Sequence, residues 1–184
     1  MARLSLIIAI CMVVGQASAQ DNSSAPKGRL ESQEVHISDS LLGKVVNDYL
    51  SFTIPLMDPA YLRDNINEVI IFDTRKQKEY DVSHIPGAKH LGYSNLDSTL
   101  LTDLKPNTPI VLYCSIGYRS EKVGEQLQAM GFNQVYNLYG SIFEWANRGY
   151  PLVDKDEQAT AEIHTFNLLW RKYVRNKSLK RIWW

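Results

Sequence analysis

The sequence predicts an α/β fold in which a central, mostly parallel sheet is flanked by helices on both faces. Two continuous apolar runs, residues 69–72 and 110–113, carry this prediction. Because they lack the polar alternation of a half-exposed strand, we expect both faces of these strands to be buried. Segments with helical periodicity alternate with the runs, as they do where helices connect parallel strands.

Length and composition narrow the classes of protein. The chain has 184 residues, of which 45% are hydrophobic and 22% are charged, and this is typical of one globular domain. Its 20 basic residues balance 20 acidic ones, which argues against a surface built for nucleic acid. Two cysteines and four scattered histidines do not form a zinc site, so we expect no metal and no other cofactor.

The N-terminus resembles a secretory signal. Residues 1–19 combine Arg3, the apolar run 4–14 and the small residues Ala17-Ser18-Ala19, and this order predicts cleavage near Ala19 and export to a periplasmic or extracellular space. The run is shorter than the roughly 20 apolar residues that span a bilayer. An uncleaved anchor and lipid attachment at Cys11 are the alternatives. Residues 20–38 are polar and predict a flexible leader.

The predicted elements follow in order along the rest of the chain. Residues 39–51 form an amphipathic helix with Asp39 or Ser40 as its N-cap, and residues 52–154 form the main domain. Its predicted strands are residues 52–54, 69–72, 89–91, 110–113 and 135–138, and its predicted helices are residues 58–63, 121–130 and 142–147. Functional groups of parallel sheets lie beyond the carboxyl ends of the strands, where Asp73, Arg75 and Cys114 are found.

Cys114 lies between a predicted strand and a predicted helix, and after signal cleavage it is the only thiol. The helix dipole and the unpaired N–H groups of such a turn lower the pKa of a thiol. Gly117 permits a positive φ, and Arg119 can bind an oxyanion at two points. The pattern predicts a nucleophilic cysteine; a buried, inert cysteine is the alternative. His84, next to Ile85-Pro86-Gly87, is expected to fix that turn rather than act as a base.

Three motifs resemble the rhodanese-like domain family, and together they cover about residues 52–154 in the family's order. They are Asp73-Thr74-Arg75 with Glu79-Tyr80 and Ser83-His84-Ile85-Pro86-Gly87-Ala88; the loop Cys114-Ser115-Ile116-Gly117-Tyr118-Arg119-Ser120; and Leu138-Tyr139-Gly140, Trp145 and Gly149-Tyr150-Pro151. The resemblance implies a rhodanese-like α/β fold.

The resemblance also implies a single-domain sulfurtransferase. Cys114 would take sulfane sulfur from thiosulfate or a persulfide, hold it as a persulfide, and pass it to a thiol or to cyanide. Arg119 would orient the donor, while Asp73 and Arg75 would brace the loop. The backbone N–H groups assigned to the persulfide anion are those between the cysteine and the helix, from Ser115, Ile116, Gly117 and Tyr118 to Ser120.

Two features of the loop refine this expectation. Four residues separate Cys114 from Arg119, as in the sulfur-transferring members of the family, whereas the phosphatase relatives have five. Ser115 stands where many members carry arginine, which weakens the case for thiosulfate and leaves a less charged or protein-borne donor open. A non-catalytic binding module, a cysteine phosphatase or arsenate reductase, and a thiol redox sensor are the alternative functions.

Residues 155–184 form a basic and aromatic tail. After Glu162 the chain has no acidic residue and six basic ones, Arg171, Lys172, Arg175, Lys177, Lys180 and Arg181. The spacing of Phe166, Leu169, Trp170, Tyr173 and Val174 predicts a helix whose aromatic face docks on the domain. Contact of residues 163–184 with an anionic membrane and binding of a protein partner are the alternatives, and the sequence does not predict an oligomeric state.

Overall fold

A computed structural model describes residues 35–184 and contains one five-stranded parallel sheet. Its strands are β1 (Leu56–Met57), β2 (Ile70–Asp73), β3 (Lys89–His90), β4 (Ile110–Tyr113) and β5 (Val135–Leu138). They are ordered β1-β5-β4-β2-β3, and every neighbouring pair is parallel. This confirms the predicted α/β class. The predicted signal peptide, its cleavage near Ala19 and the leader up to residue 34 lie outside the described residues.

Within residues 35–184, five α-helices surround the sheet. They are α1 (Ser40–Tyr49), α2 (Pro59–Asp64), α3 (Gln77–Val82), α4 (Tyr118–Ala129) and α5 (Ser141–Asn147). The carboxylate of Asp39 accepts a hydrogen bond from the N–H of Leu42, so Asp39 is the N-cap of α1. Asp58 caps α2 in the same way, with Pro59 in the first helical position, where its missing N–H costs nothing.

The sheet separates two hydrophobic clusters. Alternate residues of β4 point to opposite faces: Val111 and Tyr113 belong to the cluster that contains buried side chains of α1, α2 and α5. Ile110 and Leu112 belong to the cluster that contains buried side chains of α4. All four β4 residues are buried, which explains why their run in the sequence shows no polar alternation. The end of β4 is therefore fixed from both sides, and Cys114 follows it directly.

The predicted strand at residues 52–54 is wrong. Phe52 has a φ of 57°, which is incompatible with a strand. The N–H groups of Ser51 and Thr53 donate to the carboxylate of Glu121 at 2.9 and 3.0 Å instead of to a neighbouring strand. This side-chain acceptor displaces the strand to Leu56–Met57, and it also joins the connection after α1 to the first turn of α4.

The predicted C-terminal helix is also wrong. The segment instead forms a two-stranded parallel sheet, β6 (Glu162–His164) and β7 (Lys180–Ile182), joined through a short 3-10 helix, Leu168–Tyr173. The side chain of Asn167 accepts hydrogen bonds from the N–H groups of Leu169 and Trp170 and so caps the start of this 3-10 helix. The pairing of β6 with β7 overrides the local helical spacing, because it satisfies backbone groups that a helix would have used.

The C-terminal segment packs on the domain nevertheless. Ile163 and Val174 are buried in the larger hydrophobic cluster, and the side-chain amide of Asn147 in α5 donates to the carbonyl of Tyr173 at 2.9 Å. Among residues 35–184, no helix combines the length and the apolar character that crossing a membrane requires.

Substitution of two helical glycines by alanine tests this packing, and we expect the two substitutions to change the free energy of unfolding in opposite directions. In Gly124→Ala the new Cβ would lie 2.9 Å from Cγ1 of the buried Ile54, and we expect a loss of about 1–2 kcal/mol in the free energy of unfolding despite the better helix propensity. In Gly43→Ala the Cβ would meet Ile37 at an ordinary 3.9 Å, and we expect a gain of up to about 1 kcal/mol. Urea unfolding measures both; equal shifts of the two midpoints would contradict the packing described.

Candidate active site

The loop that carries Cys114 joins β4 to α4 and depends on Gly117. Gly117 has a φ of 115°, a conformation that L side chains rarely adopt. A Cβ at this position would lie 3.1 Å from Cδ2 of Leu50 and 3.3 Å from Nδ2 of Asn137. Both the turn and the close approach therefore require glycine, and they let α4 begin at Tyr118, three residues before the predicted start.

The thiol of Cys114 is buried and surrounded by hydrogen-bond donors. The residue is only 2% exposed, and its Sγ accepts a hydrogen bond from the N–H of Gly117 at 3.2 Å. Burial raises the pKa of this thiol, but the charge of Arg119 and the N–H groups of Ser120, Gly117 and Ile116 outweigh it and bring the pKa below its ordinary value. The site therefore favours a thiolate.

Arg119 is held by the protein itself. Its Nη1 and Nη2 donate to the two carboxylate oxygens of Glu79 at 2.8 and 3.1 Å, and Nη2 also donates to Oγ of Ser115 at 3.1 Å. The side chain of Arg119 is 15% exposed. The geometry thus places a fixed cation beside Cys114, with part of its hydrogen-bonding capacity already used.

Glu79 was assigned no role from the sequence beyond its place in a motif. Burial raises the pKa of this carboxyl, but the hydrogen bonds and charge of Arg119 and the charge of Arg75 outweigh it and lower the pKa to about 2. Its carboxylate also accepts from the N–H of Lys76 at 3.1 Å, as the third residue of a capping box does. The spacing from Lys76 to Glu79 at the start of α3 is the signal that could have placed it.

Hydrogen bonds on one carbonyl hold the loop from behind. The carbonyl of Gly117 accepts from Oγ of Ser120 at 3.1 Å, from Nδ2 of Asn137 at 3.0 Å and from the N–H of Glu121 at 2.9 Å. Ser120 therefore faces the sulfur with its N–H and braces the loop with its hydroxyl. Asn137 was missed; an amide inside a strand of otherwise apolar and aromatic residues is the signal that could have indicated it.

The N-terminal turn of α5 holds the backbone at the cysteine. The N–H of Cys114 donates to Oγ of Ser141 at 3.2 Å, and the N–H groups of Ile142 and Phe143 donate to the carbonyls of Cys114 and Ser115 at 3.3 and 3.2 Å. These contacts turn the carbonyls of the loop away from the sulfur. Sequence reasoning missed Ser141, which is distant along the chain and has no motif of its own.

The remaining predicted loop residues divide by exposure. The side chain of Ile116 is buried in the larger hydrophobic cluster, so this residue can offer only its N–H to the site. Tyr118, the first residue of α4, is 42% exposed. Among residues 35–184, no cluster of three or more His, Cys, Asp or Glu side chains could hold a metal ion.

Comparison with known proteins places this site in a family. A model of the rhodanese-like domain matches residues 58–148. Thiosulfate sulfurtransferase GlpE of Coxiella burnetii is 32% identical over 78 residues, which is 42% of this chain and 72% of that protein. The chain belongs to the rhodanese-like domain family. The resemblance carried by the sequence motifs is thereby confirmed.

Solved structures agree on the fold. The rhodanese-like domain of Alr3790 from Anabaena has a TM-score of 0.52 and 24% identity, over 58% of this chain and 83% of that one. The BH2092 protein from Bacillus halodurans has a TM-score of 0.51 and 21% identity, over 61% of this chain and 85% of that one. At this identity the likeness shows the fold alone.

The motif that precedes the cysteine loop in this rhodanese-like domain forms buried contacts. Nε and Nη2 of Arg75 donate to the carboxylate of Asp73 at 2.6–3.0 Å, and Nη2 also donates to the carbonyl of Ser83. The guanidinium lies 5.7 Å from the ring centroid of Tyr113, which directly precedes Cys114. The Asp73–Arg75 ion pair thus joins the end of β2 to the end of β4.

His84 makes only structural contacts. Its Nδ1 and the carbonyl of Tyr80 lie 3.1 Å apart, its Nε2 and the carboxylate of Glu157 lie 3.0 Å apart, and its ring stacks on that of Tyr80 at 3.8 Å. Both nitrogens are occupied, so the residue fixes the turn that it precedes.

The pH dependence of alkylation tests the charge at Cys114. In a Cys11→Ser background, Arg119→Gln removes the positive charge beside Cys114 and leaves the Glu79 carboxylate without this partner. Loss of the cation and exposure of the sulfur to an uncompensated negative charge both disfavour the thiolate. We expect the midpoint of the pH–rate profile with iodoacetamide to rise by about one unit or more. Arg175→Gln, which removes a cation 61% exposed, is the control and should leave the midpoint in place. An unchanged midpoint in Arg119→Gln would contradict the electrostatic argument.

The low pKa of Glu79 predicts a pH-dependent stability. With a pKa of about 2 in the folded protein and an ordinary value near 4.3 in the unfolded chain, the ionised carboxylate stabilises the fold fully above about pH 5. That contribution, up to about 3 kcal/mol, is lost as the pH falls through 4 towards 2.

Unfolding of wild type and Glu79→Gln between pH 7 and pH 2 measures this contribution. The difference in free energy should shrink as the pH falls, and a constant difference would contradict the prediction. Glu68→Gln, which removes an exposed carboxylate, controls for the loss of one negative charge and should have a small effect at every pH.

Proposed function

We propose that this protein is a sulfurtransferase that carries sulfane sulfur on Cys114. The observation that carries the proposal is the thiol itself, whose pKa is lowered inside a ring of backbone N–H groups. Membership of a sulfurtransferase-like family supports it. A nucleophile needs this combination, because a thiolate reacts and a protonated thiol does not.

The reaction has two displacement steps at sulfur. The Cys114 thiolate attacks the outer sulfur of the donor, the new S–S bond forms on Sγ, and the donor leaves with the electron pair of its broken bond as sulfite or as a thiolate. A thiolate or cyanide acceptor then attacks the outer sulfur of the Cys114 persulfide. The Cys114 thiolate is released, so no oxidant or reductant is consumed.

The residues of the loop serve both steps. The N–H groups of Ile116, Gly117 and Ser120 already act on the thiolate, and in the proposal they, with those of Ser115 and Tyr118, stabilise the persulfide anion. Arg119 supplies the positive charge. Its contacts with Glu79 and with Ser115 favour donors that carry less charge than thiosulfate, because the carboxylate offsets the cation that a dianion would need.

We also propose that the protein is exported. The support is the pattern of residues 1–19, a short positive start, an apolar run and a small-residue cleavage site. The intact mass of the protein recovered outside the cytoplasm should correspond to a chain that begins at Gln20, and recovery of the uncleaved chain in the cytoplasm would refute export.

Mass spectrometry of the protein treated with thiosulfate and with a low-molecular-weight persulfide tests the enzymatic proposal. We expect one added sulfur atom, about 32 Da, located on Cys114, and transfer to cyanide on its addition. Cys114→Ala should abolish adduct and transfer while the unfolding midpoint stays within a small shift, because alanine fits the space.

Two outcomes would overturn the proposal. Turnover of an aryl phosphate that depends on Cys114 would favour the phosphatase alternative. Absence of an adduct with every donor, together with unaltered biological function in Cys114→Ala, would favour the non-catalytic binding module. Lys155→Gln serves as the matched surface control in the same assays, because the side chain of Lys155 is 63% exposed and pairs with the exposed Asp156.

A further inference from the structure

Four aromatic side chains form a continuous series beside the Cys114 loop. The ring centroids of Phe166 and Trp170 lie 5.5 Å apart, those of Trp170 and Tyr49 5.7 Å, and those of Tyr49 and Tyr118 6.4 Å, each pair in an edge-to-face arrangement. We call these four residues the aromatic rim. Tyr49, Tyr118 and Phe166 are 51%, 42% and 41% exposed, so three of the four rings face solvent, while Trp170 is partly buried and packs against the larger hydrophobic cluster.

The rim is joined to the catalytic loop at both ends. Tyr118 belongs to the loop, and the guanidinium of Arg119 lies 5.5 Å from the ring centroid of Phe166. Phe166 and Trp170 come from the C-terminal segment and Tyr49 from α1, so three of the four rings lie outside residues 58–148, the part that matches the family. These added segments contact each other and the Cys114 loop.

Phe166 is held there at a conformational cost. Its φ is 65°, in the left-handed region that an L residue of its size rarely adopts. The N–H of Phe166 donates to Nδ1 of His164 at 3.1 Å, and the N–H of Asn167 donates to the carbonyl of Thr165 at 2.7 Å, which fix the turn. Phe166 is 41% exposed, so burial alone does not account for this conformation, and backbone strain of this kind concentrates at functional sites.

Positive charge borders the rim. Arg171 and Lys172 directly follow Trp170 in the 3-10 helix and both are exposed; Nζ of Lys172 lies 5.1 Å from the ring centroid of Tyr173, which packs edge-to-face on Trp170 at 5.7 Å. At the other border Arg119 adds a cation that is partly offset by Glu79. The surface therefore combines exposed aromatic rings with cations, and its complement is a ligand with apolar and acidic groups.

Resting on the proposed function, we propose that the aromatic rim binds a polypeptide that presents a cysteine flanked by apolar and acidic side chains, and that this cysteine is the sulfur acceptor of the Cys114 persulfide. Four rings in series are more than a low-molecular-weight thiol can cover, whereas an extended segment of several residues, at about 3.3 Å per residue, can contact them all. Cys114 is almost inaccessible, so the acceptor must also offer its thiol on a narrow chain.

Sulfur transfer from persulfide-loaded protein tests the proposal. The full chain with Cys11→Ser is loaded at Cys114 and offered a ten-residue peptide that holds one cysteine among leucine, phenylalanine and glutamate, a second peptide with lysine in place of glutamate, and cyanide. The readout is the ratio of the peptide rate constant to the cyanide rate constant. Cyanide is too small to contact the rim, so the ratio isolates docking from chemistry.

We expect the acidic peptide to react at least tenfold faster than the lysine peptide. Trp170→Ala and Tyr49→Ala, in different elements, should each lower the peptide-to-cyanide ratio about tenfold. Leu169→Ala is the matched control, because Leu169 lies in the same 3-10 helix, is 76% exposed and is not part of the rim; it should leave the ratio within twofold. The use of two variants keeps the test valid if one of them fails to fold.

Each other outcome counts against one defined claim. Failure of Cys114 to accept sulfur refutes the proposed function and not the rim. Normal loading with an unchanged ratio in both rim variants refutes the rim as an acceptor site. Sedimentation with phosphatidylserine vesicles that is lost in Trp170→Ala, while the peptide ratio is unchanged, would assign the surface to a membrane and overturn the proposal.

Discussion

The structure around Cys114 is arranged to favour an ionised thiol in a buried position. Burial opposes the thiolate of Cys114, and only fixed dipoles and one cation can offset that opposition. The N–H groups of the loop can point at the sulfur because the loop carbonyls are held by other hydrogen bonds. The carbonyl of Gly117 accepts from Asn137 and Ser120, and the carbonyls of Cys114 and Ser115 accept from N–H groups of α5. Much of the surrounding structure serves this single requirement.

The Arg119 cation, like the Cys114 thiolate, must be held in place by other groups. Arg119 beside a buried sulfur would be free to swing into solvent without a partner, and Glu79 fixes it with two hydrogen bonds. The same carboxylate reduces the net positive charge beside Cys114. The site therefore combines a rigidly held cation with a small net charge, and the residue directly after the cysteine is Ser115 rather than a second arginine.

The sequence predicted the parts of the structure that rest on local signals. Runs 110–113 and 135–138 became β4 and β5 with unchanged bounds, because every residue of both strands is buried and Asn137 is the one amide in these runs. It also indicated Cys114, Gly117 and Arg119 together. Glu79, Asn137 and Ser141 were missed because their roles arise from residues 17–40 positions away along the chain. The predicted strand at 52–54 is wrong for the same reason, because the Glu121 carboxylate of α4 accepts hydrogen bonds from the N–H groups of Ser51 and Thr53.

The C-terminal segment shows how far spacing can mislead when tertiary pairing competes with it. Its aromatic residues have a helical spacing, but a helix would have turned Phe166 and Trp170 to one face of a cylinder. In the folded chain β6 and β7 pair in parallel, and the connection between them must cross back over the domain. That crossing brings Phe166 against Arg119 and Trp170 against Tyr49. The aromatic surface beside the cysteine thus follows from the topology of the folded chain, and a local pattern of residues does not predict it.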